Sequence, residues 1–274
     1  MKIVIKIGDR LPGDAAALDK CASAFAELTK NGHQLVAVHG CRTVPDPVAP
    51  PAAEASRHET RDRSDFGTEA VLIAGAVNKI VIERFERRGL RAIGMCGSDC
   101  GIFHLRSSRN GVHHASACTH GIARVDPAWL DALCNLGITP VIAGVGLTPE
   151  REYRFTDPDM LASVLASRWN AHALIFLSSI AGVKDVNGNV MRWLDLRQVQ
   201  ELVQLIGENE GIWSKLQAAR HALQSGVRRV RILPFIDAEL LADFYVSRID
   251  SGTEIFEGSP VAEIQGVGAD KGSD

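Results

Sequence analysis

The chain has 274 residues, 46% of them hydrophobic, with a formal net charge of −3. That is enough apolar material for one large α/β domain or two lobes sharing a sheet, and the mild acidity argues against a nucleic-acid partner, which needs clustered and unopposed Lys and Arg. No apolar stretch reaches the roughly 18 residues of a membrane span and the opening MKIVIKIG reads as a strand without a cleavage site, so a cytoplasmic protein with no membrane partner is expected.

In chain order, residues 3–7 read as a buried strand, 14–30 as a helix stopped by Asn31-Gly32, and 35–38 as a strand ending at His39-Gly40. The stretch 42–61, with Pro45, Pro47, Pro50 and Pro51, is expected to be a surface loop or lid. Ser64 or Thr68 can cap a long helix to about Arg88, whose wide apolar face points to a core on one side and a second subunit on the other, so a homodimer is expected. A strand at 92–95, hairpins within 101–122, a helix at 129–136 and a strand at 140–145 follow. Pro158 opens a helix to Trp169, then come a strand at 173–177, a turn at 185–189, helices at 196–206 and 213–223, a strand at 227–233 and a helix at 238–246. The alternation predicts a three-layer αβα sandwich around a mostly parallel sheet.

Six cysteines are scattered through the chain, and reduced thiols suit them better than a disulfide framework. Cys96, Cys100, His104, His113, His114, Cys118 and His120 are ligand types that zinc prefers, but their spacing fits no standard zinc motif and no metal site is assigned.

Two lysines carry the chemistry. Lys6 ends an apolar strand and is followed by Ile7-Gly8, a turn suited to phosphate. Lys215 stands four residues after Gly211 in the first turn of a helix, where a cation has the wrong sign for the helix dipole and calls for an anion. With Asp159 between them in sequence, they form a candidate phosphoryl-transfer set, because fixed cations and an orienting carboxylate supply most of what that reaction needs. Each has an ordinary alternative: a snorkelling strand lysine, a surface lysine, and an acid of the kind any helix favours in its first turn.

The order of motifs resembles the amino acid kinase family, and within it the acetylglutamate kinases. The resemblance runs through VIKIGDR, LVAVHGCR, AVNK, GMCGSDCG, GITPVIAGVG, DPDMLASVLA, ALIFLSSIAGV, EGIWSKLQAA and GTEI. It implies an N-terminal lobe (1–170) that binds the acyl acceptor and dimerises, a C-terminal lobe (171–260) that binds ATP with Mg2+, and a disordered tail (261–274). The reaction it implies is phosphorylation of a side-chain carboxylate of a small acidic amino acid derivative to an acyl phosphate. By motif position, Lys6 and Lys215 would stabilise the transferred phosphoryl group and Asp159 would orient both. Gly8, Asp9, Ser178, Ser179 and Gly211 would line the phosphate and nucleotide, Gly40, Cys41, Arg42 and Phe155 the acceptor, and Arg61 or Arg63 would clamp the acceptor's α-carboxylate.

The chain departs from the family's pattern in the same places. Asp9 replaces a glycine after the first strand, Cys41-Arg42 replaces two more after His39, and Phe155 and Asp157 stand where the family has asparagines. Ser178-Ser179 and Glu210-Gly211-Ile212 are also altered. Asp9 would crowd the phosphates with negative charge unless Arg10 or Arg42 pairs with it or it helps hold magnesium, and Phe155 would reshape the acceptor pocket. Three readings stand: a kinase of acetylglutamate type, favoured by the retention of Lys6, Asp159 and Lys215; a noncatalytic regulatory relative, favoured by the lost glycines; and a kinase of a different acidic acceptor in a specialised pathway.

Overall fold

Strand β1 (Lys2–Ile7) is buried from Ile3 onwards, as expected of a central strand covered on both faces. In the computed structural model, which describes residues 1–40, 70–107, 121–206, 211–235, 237, 241 and 251–257, it lies in the middle of an eight-stranded sheet. To one side are β2 (Gln34–His39), β6 (Thr139–Ala143) and β3 (Ala92–Met95), all parallel. To the other are β9 (Ala173–Ser178) and β11 (Arg229–Pro234), also parallel, and then β12 (Thr253–Phe256), antiparallel to β11 and carrying β10 (Trp193–Asp195) at the edge.

Strand alternation sorts the side chains into two cores. Ile3, Ile5 and Ile7 pack with Leu18 and Phe25 of α1 (Ala15–Lys30) and with Val81 and Phe85 of α2 (Asn78–Arg87). Val4, Val36 and Val38 face Leu130 of α3 (Ala128–Asn135), Leu161 and Leu165 of α4 (Pro158–Arg168), Val199 of α5 (Leu196–Leu205) and Leu216 of α6 (Gly211–Gln224). The αβα sandwich with a mostly parallel sheet is therefore present. Local signals place its helices: Asp14 accepts from Ala17 N at the start of α1, and Asp195 with Gln198 forms a full capping box on α5.

The predicted strand at 140–145 is two strands. Gly144 donates to the His39 carbonyl and lets the chain leave the main sheet, and β7 (Val145–Leu147) then joins a four-stranded sheet with β4 (Phe103–Leu105), β5 (Ile122–Val125) and β8 (Tyr153–Phe155). The long helix predicted before Arg88 contains a π-helical stretch, Leu72–Val77, before it passes into α2. No helix among the described residues is long and apolar enough to cross a membrane. The loop 42–61, the cap candidates Ser64 and Thr68, the helix 238–246 and the tail 261–274 lie outside the described residues.

Candidate active site

Residues two apart on a strand share a face, so Lys6 projects from β1 beside Val4, toward the side covered by α4 and α6. It is 1% exposed and cannot snorkel to solvent. Pro158 and the Asp157 cap start α4 so that Asp159 falls in its first turn, 5% exposed. One carboxylate then serves two lysines: Asp159 Oδ1 lies 3.2 Å from Lys6 Nζ and Oδ2 lies 3.0 Å from Lys215 Nζ. A second link runs alongside, with Ser214 Oγ donating to Asp157 Oδ2 at 2.7 Å, so the first turns of α4 and α6 are tied twice. The wrong-sign charge of Lys215 at a helix N-terminus is thus answered by Asp159.

Asp9 closes the cluster. It takes Lys6 as counter-charge, where the sequence reading offers Arg10, Arg42 or magnesium: Lys6 Nζ donates to Asp9 Oδ1 at 2.8 Å. Burial by itself would lower the Lys6 pKa, but Asp159 and Asp9 outweigh it and hold the ammonium above its ordinary range. Burial likewise raises the Asp159 carboxyl, and Lys6 and Lys215 overcome that and leave it lowered. Two lysines face two carboxylates here, so the formal charges of the cluster sum to zero.

Around it lie the carboxyl ends of β1, β2 and β9, where ligands of parallel sheets bind. A Cβ on Gly8 would meet the Leu177 carbonyl oxygen at 2.6 Å, so this glycine is required by the packing of β1 on β9. A Cβ on Gly40 would stand 2.7 Å from Pro158 Cγ and 3.3 Å from Asp9 Oδ1, which puts Gly40 at the rim of the lysine cluster. Ser178 is buried at the end of β9, with its Oγ accepting from Ile180 N, and Ser179 is exposed. Gly211 begins α6 with open space where its Cβ would be. Phe155 packs apart from the lysines, in a third apolar cluster with Ile73, Val77, Cys96 and Val145. Cys41, Arg42, Arg61 and Arg63 lie outside the described residues. Cys21, Cys96, Cys100 and Cys134 are free thiols.

Buried polar residues behind Gly40 escape a reading by motif alone. Asn78 Nδ2 donates to the Val141 carbonyl at 3.0 Å, which fixes the orientation of the amide. His39 Nε2, 2.9 Å from the same nitrogen, must therefore be an acceptor, and the ring proton sits on Nδ1, beside the Gly40 carbonyl at 3.4 Å. Burial is the main cause that pushes His39 down to about 4, so the ring is neutral. AVNK stands out in the sequence as a motif, but nothing in it signals a histidine partner 39 positions away.

Residues 1–234 match the model of the amino acid kinase family. The chain belongs to that family. Among curated relatives, this amino acid kinase is 33% identical to acetylglutamate kinase of Acidobacterium capsulatum, over 93% of its own length and 99% of the relative. It is 32% identical to acetylglutamate kinase of Koribacter versatilis, over 93% and 98%. Among solved structures, N-acetylglutamate synthase from Neisseria gonorrhoeae superposes with a TM-score of 0.78 at 22% identity, over 94% of this chain and 60% of the synthase, a likeness of fold.

Proposed function

We propose that this amino acid kinase uses ATP to phosphorylate the side-chain carboxylate of an acetylglutamate-like amino acid, giving an acyl phosphate and ADP. The carrying observation is the Lys6–Asp159–Lys215 arrangement, two ammonium groups held on one carboxylate at the carboxyl edge of the sheet. Relatives named acetylglutamate kinase over nearly full length support the choice of acceptor class.

In this reading an acceptor carboxylate oxygen attacks the γ-phosphorus, the bond from that phosphorus to the β–γ bridging oxygen breaks, and ADP leaves with the bonding pair. Lys6 and Lys215 stabilise the charge on the moving phosphoryl oxygens, and Asp159 keeps both lysines aligned. Gly40, packed against Pro158 at the rim of the cluster, borders the acceptor, and Gly8, Ser178, Ser179 and Gly211 border the phosphates. Arg42, Arg61 and Arg63 are candidates for the acceptor's other carboxylate.

Magnesium, when bound with ATP, would neutralise part of the phosphate charge. Asp9 and Asp159 are engaged by lysines and Asp157 by Ser214 and Met160 N, and no group of three or more His, Cys, Asp or Glu that could hold a metal occurs among the described residues. The described side chains therefore form no cage for Mg2+, and no step is assigned to it.

Hydroxylamine traps acyl phosphates, so the test is hydroxamate formation with MgATP and a panel of acidic amino acids and their N-acyl derivatives. N-acetylglutamate or a close analogue is expected to give hydroxamate in step with ADP release. Absence of hydroxamate with every acid, from folded protein, rejects the reading.

A further inference from the structure

A groove of about 390 Å³ lies at the far ends of the two helices that carry Asp159 and Lys215. Its walls include Arg106 and Arg124 from the small sheet, Arg168 and Ser167 from α4, and His221 from α6. None of its lining residues is acidic, and among the described residues no carboxylate pairs with Arg106, Arg124 or Arg168. Elsewhere Arg84 pairs with Asp19, Arg154 with Glu152 and Arg229 with the buried Glu254.

Two helices end here, and their carbonyl ends carry about half a negative charge each. The carbonyls are largely answered already: Ala171 N donates to Ala166 O, Val227 N to Ala222 O and Gly226 N to Leu223 O. Three guanidinium charges exceed what the helix ends need. His221 adds a directed group. Ser163 Oγ donates to Ala218 O at 2.8 Å, so its remaining capacity is to accept, and His221 Nδ1 at 2.8 Å is its donor. Nε2 is the ring nitrogen left, and it donates to a bound anion once the ring takes up a second proton.

We infer that this groove binds a small polyanion bearing two or more carboxylate or phosphate groups. Arginine suits such groups because its planar fork of donors matches two oxygens at once, and the volume fits a small metabolite. Asp159 and Arg168 are nine residues apart on α4, about 14 Å along the axis, so the ligand is distinct from the reacting groups.

The test is titration calorimetry on the full chain at low salt, with citrate and with pyrophosphate as separate probes. Both are expected to bind Lys215→Ala, in which the phosphate-facing lysine of the candidate active site is gone, and adding Arg124→Ala/Arg168→Ala to that background is expected to weaken both by at least about 100-fold, tenfold for each guanidinium removed from a charge-assisted hydrogen bond. These arginines are exposed, so the variant should fold, and circular dichroism checks it. Citrate should also raise the pKa of His221 followed by NMR. No binding, binding that survives the double substitution, binding already lost in Lys215→Ala, or a His221 titration that citrate leaves unmoved would each overturn the inference. The readout is binding, so it stands or falls independently of the proposed reaction.

Discussion

Asp9 places a second carboxylate oxygen 2.8 Å from Lys6 Nζ, beside the one supplied by Asp159. A lysine with two acidic partners is already fully compensated, so an incoming phosphoryl group competes with Asp9 for it. Asp9→Asn keeps the shape and removes one charge, leaving the cluster at a net +1. The expected outcome is a kcat/KM for MgATP higher by roughly 3- to 10-fold, the scale of one partly screened charge. A fall in kcat/KM would show instead that Asp9 assists the reaction.

Asp159 and Lys215 should separate in their effects. Lys215→Ala removes one of the two cations, with Lys6 still held by Asp9 and Asp159, and should lower kcat by about 100- to 1,000-fold while melting stays near wild type. Asp159→Asn strands the Lys215 ammonium beside a neutral amide and leaves Lys6 with Asp9 alone, and should lower kcat at least as far and also cost about 3 kcal/mol of stability. Steady-state kinetics beside denaturant melts decide it; a Lys215→Ala protein that does not fold would mark that lysine as structural.

Much of this is legible in the sequence, for identifiable reasons. Lys6, Asp159 and Lys215 stand at element ends, where a glycine, a proline and a helix start are visible in sequence, and the structure brings all three together. The sandwich is readable because central strands such as β1 and β9 are continuous apolar runs. The small sheet is not, since β7 and β8 are three residues each and too short to show a period. Nor is Asp9's partner, because arginines are the nearer cations to an eye following the chain, whereas a strand turning at Gly8 folds Asp9 back over Lys6. The His39–Asn78 contact depends on packing between β2 and α2, which no local pattern encodes.

Gly94 on β3 illustrates such packing. A Cβ there would lie 1.6 Å from Asn78 Oδ1 and 2.7 Å from its Cγ. Asn78 cannot retreat without giving up the Val141 carbonyl and His39, and Oδ1 is buried with no hydrogen-bond partner among the described residues. Gly94→Ala should therefore destabilise by about 3 kcal/mol, the upper range for overpacking. Asn78→Ala/Gly94→Ala should recover part of it, measurable by urea melts; an unchanged midpoint in the single variant would show that β3 yields at no cost.

His39 makes stability depend on pH. Its folded pKa is about 4 against an ordinary 6.5, chiefly through burial. A depressed folded pKa means that the unfolded chain binds the proton first, so the contribution is complete above pH 6.5 and is lost as pH falls toward 4. The loss amounts to about 3 kcal/mol across that window. His33, His172 and His221 are lowered as well and act with the same sign, so the wild-type slope should be steeper than one histidine gives. Asp159, also lowered, adds its loss only further down, as pH falls through and below the ordinary carboxylate range. His39→Gln can keep an acceptor for Asn78 while removing the titration, and should flatten the fall in stability between pH 6.5 and 4, followed by denaturant melts at a series of pH values. An unaltered slope in that variant would place the proton uptake on groups other than His39.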